Sequence, residues 1–256
     1  MPRVTPADET PLTRTLLAPN PGPMTLEGTN TYLVGRGREL VVVDPGPADA
    51  AHLDRIAAAG DVALILITHR HPDHTDGIAG LVERTGAPVR AVSPEFCVGG
   101  DPLVDGEVIE VAGTRIEVVA TPGHTADSVS FHLPDDGATG SMLTGDTILG
   151  QGTTIIAWPD GALRPYLASL HRLLDFPRAA VLPGHGPRRP NLRAVVYEYL
   201  AHRGERLEQV RAALAELGED AGVEAVTDAV YSDIAPGVRP AAEASVRAQL
   251  DYLRGV

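Results

Sequence analysis

Three histidines and one aspartate fall within six consecutive residues, His69-Arg70-His71-Pro72-Asp73-His74, and this segment constrains the chain more than any other. It follows Val62 to Thr68, a continuous apolar run that reads as a buried strand. His69 and His71 are two apart, so extended chain points both to one side. The turn at Pro72 brings Asp73 and His74 in from another direction. Three later segments carry the same side-chain types: Gly123-His124-Thr125, Gly145-Asp146-Thr147 and Gly184-His185-Gly186. Each follows an apolar run, and the glycine beside each ligand permits close approach of backbone. Imidazole and carboxylate suit a borderline divalent metal; zinc, iron and manganese all accept them. The candidate ligands are His69, His71, Asp73, His74, His124, Asp146 and His185. They divide into two sites, three His with a shared Asp and two His with two Asp. His52, His132 and His171 sit on ordinary helix or strand patterns and read as core or surface residues.

The remaining sequence supplies a scaffold. Of 256 residues, 43% are hydrophobic and 21% charged, which is ordinary for a globular chain and argues against disorder. One cysteine, Cys97, excludes an intramolecular disulfide and any multi-cysteine metal site. No apolar run reaches about 18 residues, so no transmembrane helix is expected. Met1 to Leu17 lacks a basic start and apolar stretch, which points to a soluble cytoplasmic protein. Short strands are predicted over 31–35, 39–43, 62–68, 89–92, 108–111, 114–121, 128–133, 141–144 and 179–182. Helices are predicted over 48–59, 78–85 and 166–174. This is a mixed α/β layout. After Pro190 the texture becomes helical, over 192–217, 223–231 and 241–253. The reading is a catalytic domain of residues 1–190 and a small helical domain of residues 191–256.

Thr68 to His74, followed by His124, Asp146 and His185, resembles the T-H-x-H-x-D-H…H…D…H signature of the metallo-β-lactamase-fold hydrolases. The resemblance implies an αβ/βα four-layer sandwich with two metal ions at one edge, zinc foremost with iron or manganese as alternatives. It implies a bridging hydroxide as nucleophile, with Asp146 bridging the metals. Asp73 would ligate the second metal and orient the hydroxide, a catalytic role. Asp44 would stand behind the ligands. Leu26 to Gly35, Thr121 to Ser128, Gly152-Thr153-Thr154 and Tyr199 to Arg203 are similar to the lactamase-beta-like protein 2 group. That similarity covers nearly the whole chain and implies a winged-helix-like C-terminal domain. Members of the group include single-strand endoribonucleases and thioesterases acting on carrier-protein-bound polyketides.

The function expected is therefore a binuclear metal-dependent hydrolase acting on an ester or thioester. A single-strand endoribonuclease is the alternative, and a non-catalytic metal-binding module the third reading. True zinc β-lactamases generally lack the aspartate found here as Asp146. The β-CASP nucleases carry a large insertion where only 39 positions separate Asp146 from His185. A persulfide dioxygenase would not need the complete second site. Charge weighs against RNA: the chain carries −13, and residues 191–256 hold seven arginines against eleven acidic residues, a net −4. A domain gripping a phosphate backbone should be basic. Candidate substrate contacts are Gly152 and Thr153, with Arg188 and Arg203 as cations for one carboxylate or phosphate. Trp158 with Ile155 and Ile156 offers either an apolar wall at the mouth or core packing. Oligomeric state is open.

Overall fold

The computed structural model describes residues 9–233 and 236–255. Ten strands form two five-stranded sheets. The first runs in the order β1 (Thr13–Leu17), β2 (Asn30–Val34), β3 (Glu39–Val43), β4 (Asp61–Leu66) and β5 (Val89–Arg90). The second places β10 (Ala180–Pro183) beside β9 (Ser141–Gly145), then β8 (Val129–Leu133), β7 (Thr114–Ala120) and β6 (Val108–Val111). β2 and β3 form the expected antiparallel pair, with Tyr32 opposite Val43. β4 and β5 join it in parallel through α1 (Ala50–Ala57) and α3 (Ile78–Thr85).

Strand periodicity builds the layers. In β2 and β3, Tyr32, Val34, Val41 and Val43 face the second sheet, where Ile116, Val118, Phe131 and Leu143 meet them. Their alternates Leu33, Leu40 and Val42 face outward onto Leu53 and Ile56 of α1 and Leu81 of α3. Both faces are covered, so these strands read as unbroken apolar runs rather than alternating ones. On the far side, Val119, Met142 and Val181 of the second sheet pack against α4 (Leu163–Leu173) and α5 (Leu192–Leu217). The result is the helix–sheet–sheet–helix sandwich.

The C-terminal residues are helical: α5, α6 (Val223–Val230) and α7 (Arg239–Arg254). The described residues beyond Asn191 contain no strand, so the winged-helix detail has no counterpart among them. Asn191 caps α5 by accepting from the Ala194 amide at 3.0 Å. The first half of α5 (Leu192, Val195, Val196, Tyr199) belongs to the core built by α4 and the second sheet. Only Val210, Ala213 and Leu214 turn to a separate cluster with Val226, Val246 and Leu250. Among the described residues no helix is long and apolar enough to cross a membrane. β1, the single turn α2 (Pro72–Thr75) and two short 3-10 turns at Pro94–Phe96 and Pro236–Val238 are the elements the sequence pattern did not announce.

Candidate metal centre

All seven candidate ligands lie beyond the C-terminal ends of strands, at the edge where the two sheets meet. Backbone bonds seal that junction: Val129 N donates to Thr68 O at 2.9 Å, and Asn30 N to Gly184 O at 2.8 Å. The side chain of Asn30 donates to the carbonyls of Pro183 and Gly186, at 3.0 and 2.9 Å, and so fixes the turn that carries His185. The glycine at 184 is required by crowding. A Cβ there would stand 2.4 Å from Asp146 Oδ1 and 2.8 Å from His74 Cε1.

The ligands converge as two groups. His69, His71, His124 and Asp146 form one; Asp73, His74 and His185 form the other, each with its donor atoms within 4.8 Å of one another. His71 Nδ1 lies 3.1 Å from both His69 Nε2 and His124 Nε2. His74 Nε2 lies 3.3 Å from His185 Nε2. Asp146 stands between the groups, with Oδ1 3.5 Å from His74 Nε2 and Oδ2 3.4 Å from His185 Nε2 and 3.8 Å from His124 Nε2. Asp73 Oδ2 is 3.0 Å from His185 Nε2.

The other ring nitrogens are engaged, which fixes the free ones. His124 Nδ1–H donates to Ile155 O at 2.6 Å, and His185 Nδ1–H to Gly28 O at 3.2 Å. His74 Nδ1–H donates to Asp44 Oδ2 at 2.7 Å. His69 Nδ1 meets Thr68 Oγ1 at 3.0 Å, and that hydroxyl donates to Asp44 Oδ2 at 2.7 Å. Each of these four rings therefore turns its Nε2 inward, the orientation that outer hydrogen bonds impose on metal-ligating histidines. Asp44 also accepts the Thr68 amide at 2.8 Å, and it holds a positive φ of 54° to do so.

Electrostatics divide this donor set. Burial lowers His69 well below its ordinary value, and lowers His71 to about 4 with help from His124. Burial lowers His124 as well, against the pull of Asp146. These rings stay neutral, the form that ligates. At His74 and His185 burial acts downward too, but carboxylates outweigh it. Asp44 and Asp146 raise His74 well above its usual range, and Asp146 and Asp73 raise His185 to about 9. Burial pushes Asp146 upward, yet His185 and His74 hold it well below the carboxylate range. Asp146 Oδ1 is buried without a hydrogen-bond partner. Imidazole nitrogens 3.1–3.3 Å apart, gathered around a buried carboxylate oxygen without a hydrogen-bond partner, are a donor set that a cation satisfies. The residues fit divalent metal binding.

The chain has known relatives. Residues 24–185 match the family model described as Metallo-beta-lactamase superfamily. The chain belongs to that superfamily. Within it, the chain is 34% identical to the beta-lactamase-like protein 2 homolog of Caenorhabditis elegans, over 93% of this chain and 82% of that one. It is 36% identical to an atrochrysone carboxyl ACP thioesterase of Aspergillus chevalieri, over 81% of this chain and 67% of that protein. It spans 62% of the length of lactamase-like protein adaB of Aspergillus niger, at 36% identity over 78% of this chain. A crystal structure of a metallo-beta-lactamase family protein from Thermus thermophilus superposes with a TM-score of 0.78 at 28% identity, covering 96% of this chain and 94% of that one.

Beside the superfamily's cluster lies a cavity of about 210 Å³, with His124 and Asp146 in its lining. Met24, Leu26, Leu149 and Ile155 give it apolar walls, and Gly152 and Thr153 also line it. Gln151 continues into a wider groove of about 940 Å³ walled by Leu16, Leu17, Pro19, Ala51 and Pro187. The two predicted cations are not in this lining. Arg188 is exposed and donates to Glu9 O at 3.2 Å. Arg203 is 3% exposed and donates to Thr154 O from beneath the cavity wall. Ile156 is core, whereas Trp158 is exposed and donates from Nε1 to Asp251 Oδ2 at 3.0 Å. His52 is fully buried, between Thr31 Oγ1 and Arg55. Sequence reasoning missed Asp160, which accepts from the Ala126 amide at 2.9 Å and from Arg70 at 3.1 Å, bracing the segments on both sides of the cluster. No local pattern marks a contact made across so many residues.

Proposed function

We propose that this chain is a metal-dependent hydrolase of esters or thioesters, with His69, His71, Asp73, His74, His124, Asp146 and His185 holding two divalent cations, zinc foremost. The convergence of six further donors around Asp146 carries the reading. Cations bound there supply Lewis acidity and a water acidic enough to attack at neutral pH. The protein's own groups do the rest. Asp44 and the Ile155 and Gly28 carbonyls hold three of the rings in the ligating tautomer. Asp146 is enclosed and binds. Asp73, about a quarter exposed (26%), is the carboxylate with access to solvent, and we assign it to orienting water and handling its proton.

The acyl preference rests on the lining. The cavity beside the cluster is small and largely apolar, without an arginine, and the adjoining groove offers an apolar stretch along Leu16, Leu17, Pro19 and Pro187 with one arginine, Arg55, on its wall. A phosphodiester would call for cations along the wall. The thioesterase name of one relative points the same way. We assign residues 1–190 to catalysis and 191–256 to a C-terminal unit that shares α5 with the core, and we place the protein in the cytoplasm. The test is a panel of acyl-thioesters and esters run beside single-stranded RNA on the zinc-loaded protein. Thioester turnover with intact RNA is expected. RNA cleavage with intact thioesters would transfer the reading to the endoribonuclease, and metal binding without any turnover to a binding module.

A further inference from the structure

The C-terminal helices reach the metal cluster through one loop. Tyr199 and Arg203 are four residues apart on α5 and share its buried face. Tyr199 Oη accepts the Leu149 amide at 2.8 Å. Arg203 Nη2 donates to the Thr154 carbonyl, and its guanidinium lies 5.1 Å over the Tyr166 ring, whose hydroxyl donates to Thr147 O at 2.7 Å. The segment so held walls the cavity. Its next carbonyl, Ile155 O, is the one that accepts His124 Nδ1–H, and Thr154 Oγ1 sits 3.2 Å from the same nitrogen. Beyond it, Ala157 N donates to His124 O at 3.0 Å. There α7 takes hold: Trp158 donates to Asp251, and Arg247 lies 4.5 Å over the indole.

A guanidinium buried at 3% exposure, with its Nε unpartnered, costs stability compared with an apolar side chain of the same volume. Its return is a donor aimed at one carbonyl. We infer that Arg203 is a positioning residue for His124: by fixing the Thr154–Ile155 peptide it sets the ring orientation and proton position of that ligand. The C-terminal helices then complete the metal site from behind. This rests on the metal-site reading above.

The test uses full-length Arg203→Met and Arg203→Lys. In metal-free protein at neutral pH, imidazole ¹⁵N spectra read the tautomer of His124. Zinc affinity is read separately by competition with a chromophoric chelator. Wild type should show His124 as the Nδ1–H form. Arg203→Met should mix the tautomers and bind zinc about tenfold more weakly, the lower end of the loss when a ligand's supporting hydrogen bonds are removed. Arg203→Lys, which keeps a donor, should recover part of both. An unchanged His124 tautomer and zinc affinity in Arg203→Met would overturn the inference. If Arg203→Met does not fold, Trp158→Phe at the exposed end of the same loop replaces it. Faster hydrogen exchange at the Ala157 amide with weaker zinc binding supports the coupling, and unchanged values refute it. A wild type that binds no zinc would sink the metal reading instead, while the tautomer measurement still judges Arg203.

Discussion

Asp44→Asn isolates what the supporting carboxylate does. The side chains are isosteric, and asparagine tolerates the positive φ of 54° at this position. The substituted side chain keeps an oxygen for the Thr68 amide, which Asp44 now accepts at 2.8 Å. The oxygen that accepts His74 Nδ1–H at 2.7 Å becomes an amide nitrogen with hydrogens of its own. His74 must then shed its Nδ1 hydrogen and carry one on Nε2, the nitrogen 3.3 Å from His185 Nε2 and 3.5 Å from Asp146. That hydrogen occupies the direction in which the ring has to ligate. Loss of such support weakens metal binding roughly 10–100-fold, or about 1.4–2.7 kcal/mol. Folding of the metal-free chain should lose about 1–3 kcal/mol, the penalty for an imperfectly paired buried group. Chelator competition measures the first quantity, chemical denaturation the second, and imidazole ¹⁵N shifts the tautomer. Wild-type zinc affinity in Asp44→Asn, with His74 still in the Nδ1–H form, would refute the argument.

Other consequences follow from the same geometry. Gly184→Ala drives a methyl against Asp146 Oδ1 and His74 at 2.4 and 2.8 Å, so a loss of about 1–3 kcal/mol in melting experiments and depleted metal are expected. Asp146→Ala removes the carboxylate standing between both groups. Elemental analysis should fall from about two metals per chain to near none, and retention of both would contradict the shared role. His52 gives a pH signature outside the cluster. Burial, aided by Arg55, lowers it from 6.5 to about 4, so the unfolded chain binds the extra proton between those values. Its contribution is full above pH 6.5 and lost as pH falls toward 4, about 3 kcal/mol in all. His52→Gln should flatten stability against pH in that window by this amount relative to wild type.

Periodicity reveals contacts along the chain more readily than contacts across it. β3, α3 and α5 stand where the apolar pattern predicts, because each buries a regular stripe or both faces of a strand. β1 escaped because a half-exposed edge strand of five residues needs only one apolar face, and its pairing with β2 is decided by distant residues. The candidate ligands were legible as a cluster because metal coordination demands particular side chains, each marked by a neighbouring glycine or turn. Arg203 was legible as a cation but not in its role. Its environment, Thr154 O and the Tyr166 ring, comes from residues dozens of positions away. Asp160 carries no signal of its own, since an aspartate after Trp158-Pro159 looks like any turn residue.

Each group of candidate ligands draws on both sheets. His69 and His71 follow β4 of the first sheet, and they meet His124 after β7 and Asp146 after β9 of the second. Asp73 and His74 likewise meet His185, which follows β10. Neither sheet alone assembles a site, so donor convergence depends on how the two inner faces pack. The contact of Leu64 and Leu66 with Leu143 and Leu182 across the sandwich is therefore also what sets the distance between ligand loops. Gly145 shows how close the setting is: a Cβ there would stand 2.6 Å from Thr68 Oγ1, the hydroxyl linking Asp44 to His69. A volume change in this inner core moves one sheet edge against the other and displaces ligands as a set. Core substitutions far from the cavity should thus weaken metal binding in proportion to the shift between sheets. Equal substitutions on the outer faces, against α1 or α3, act within one sheet and leave the spacing intact.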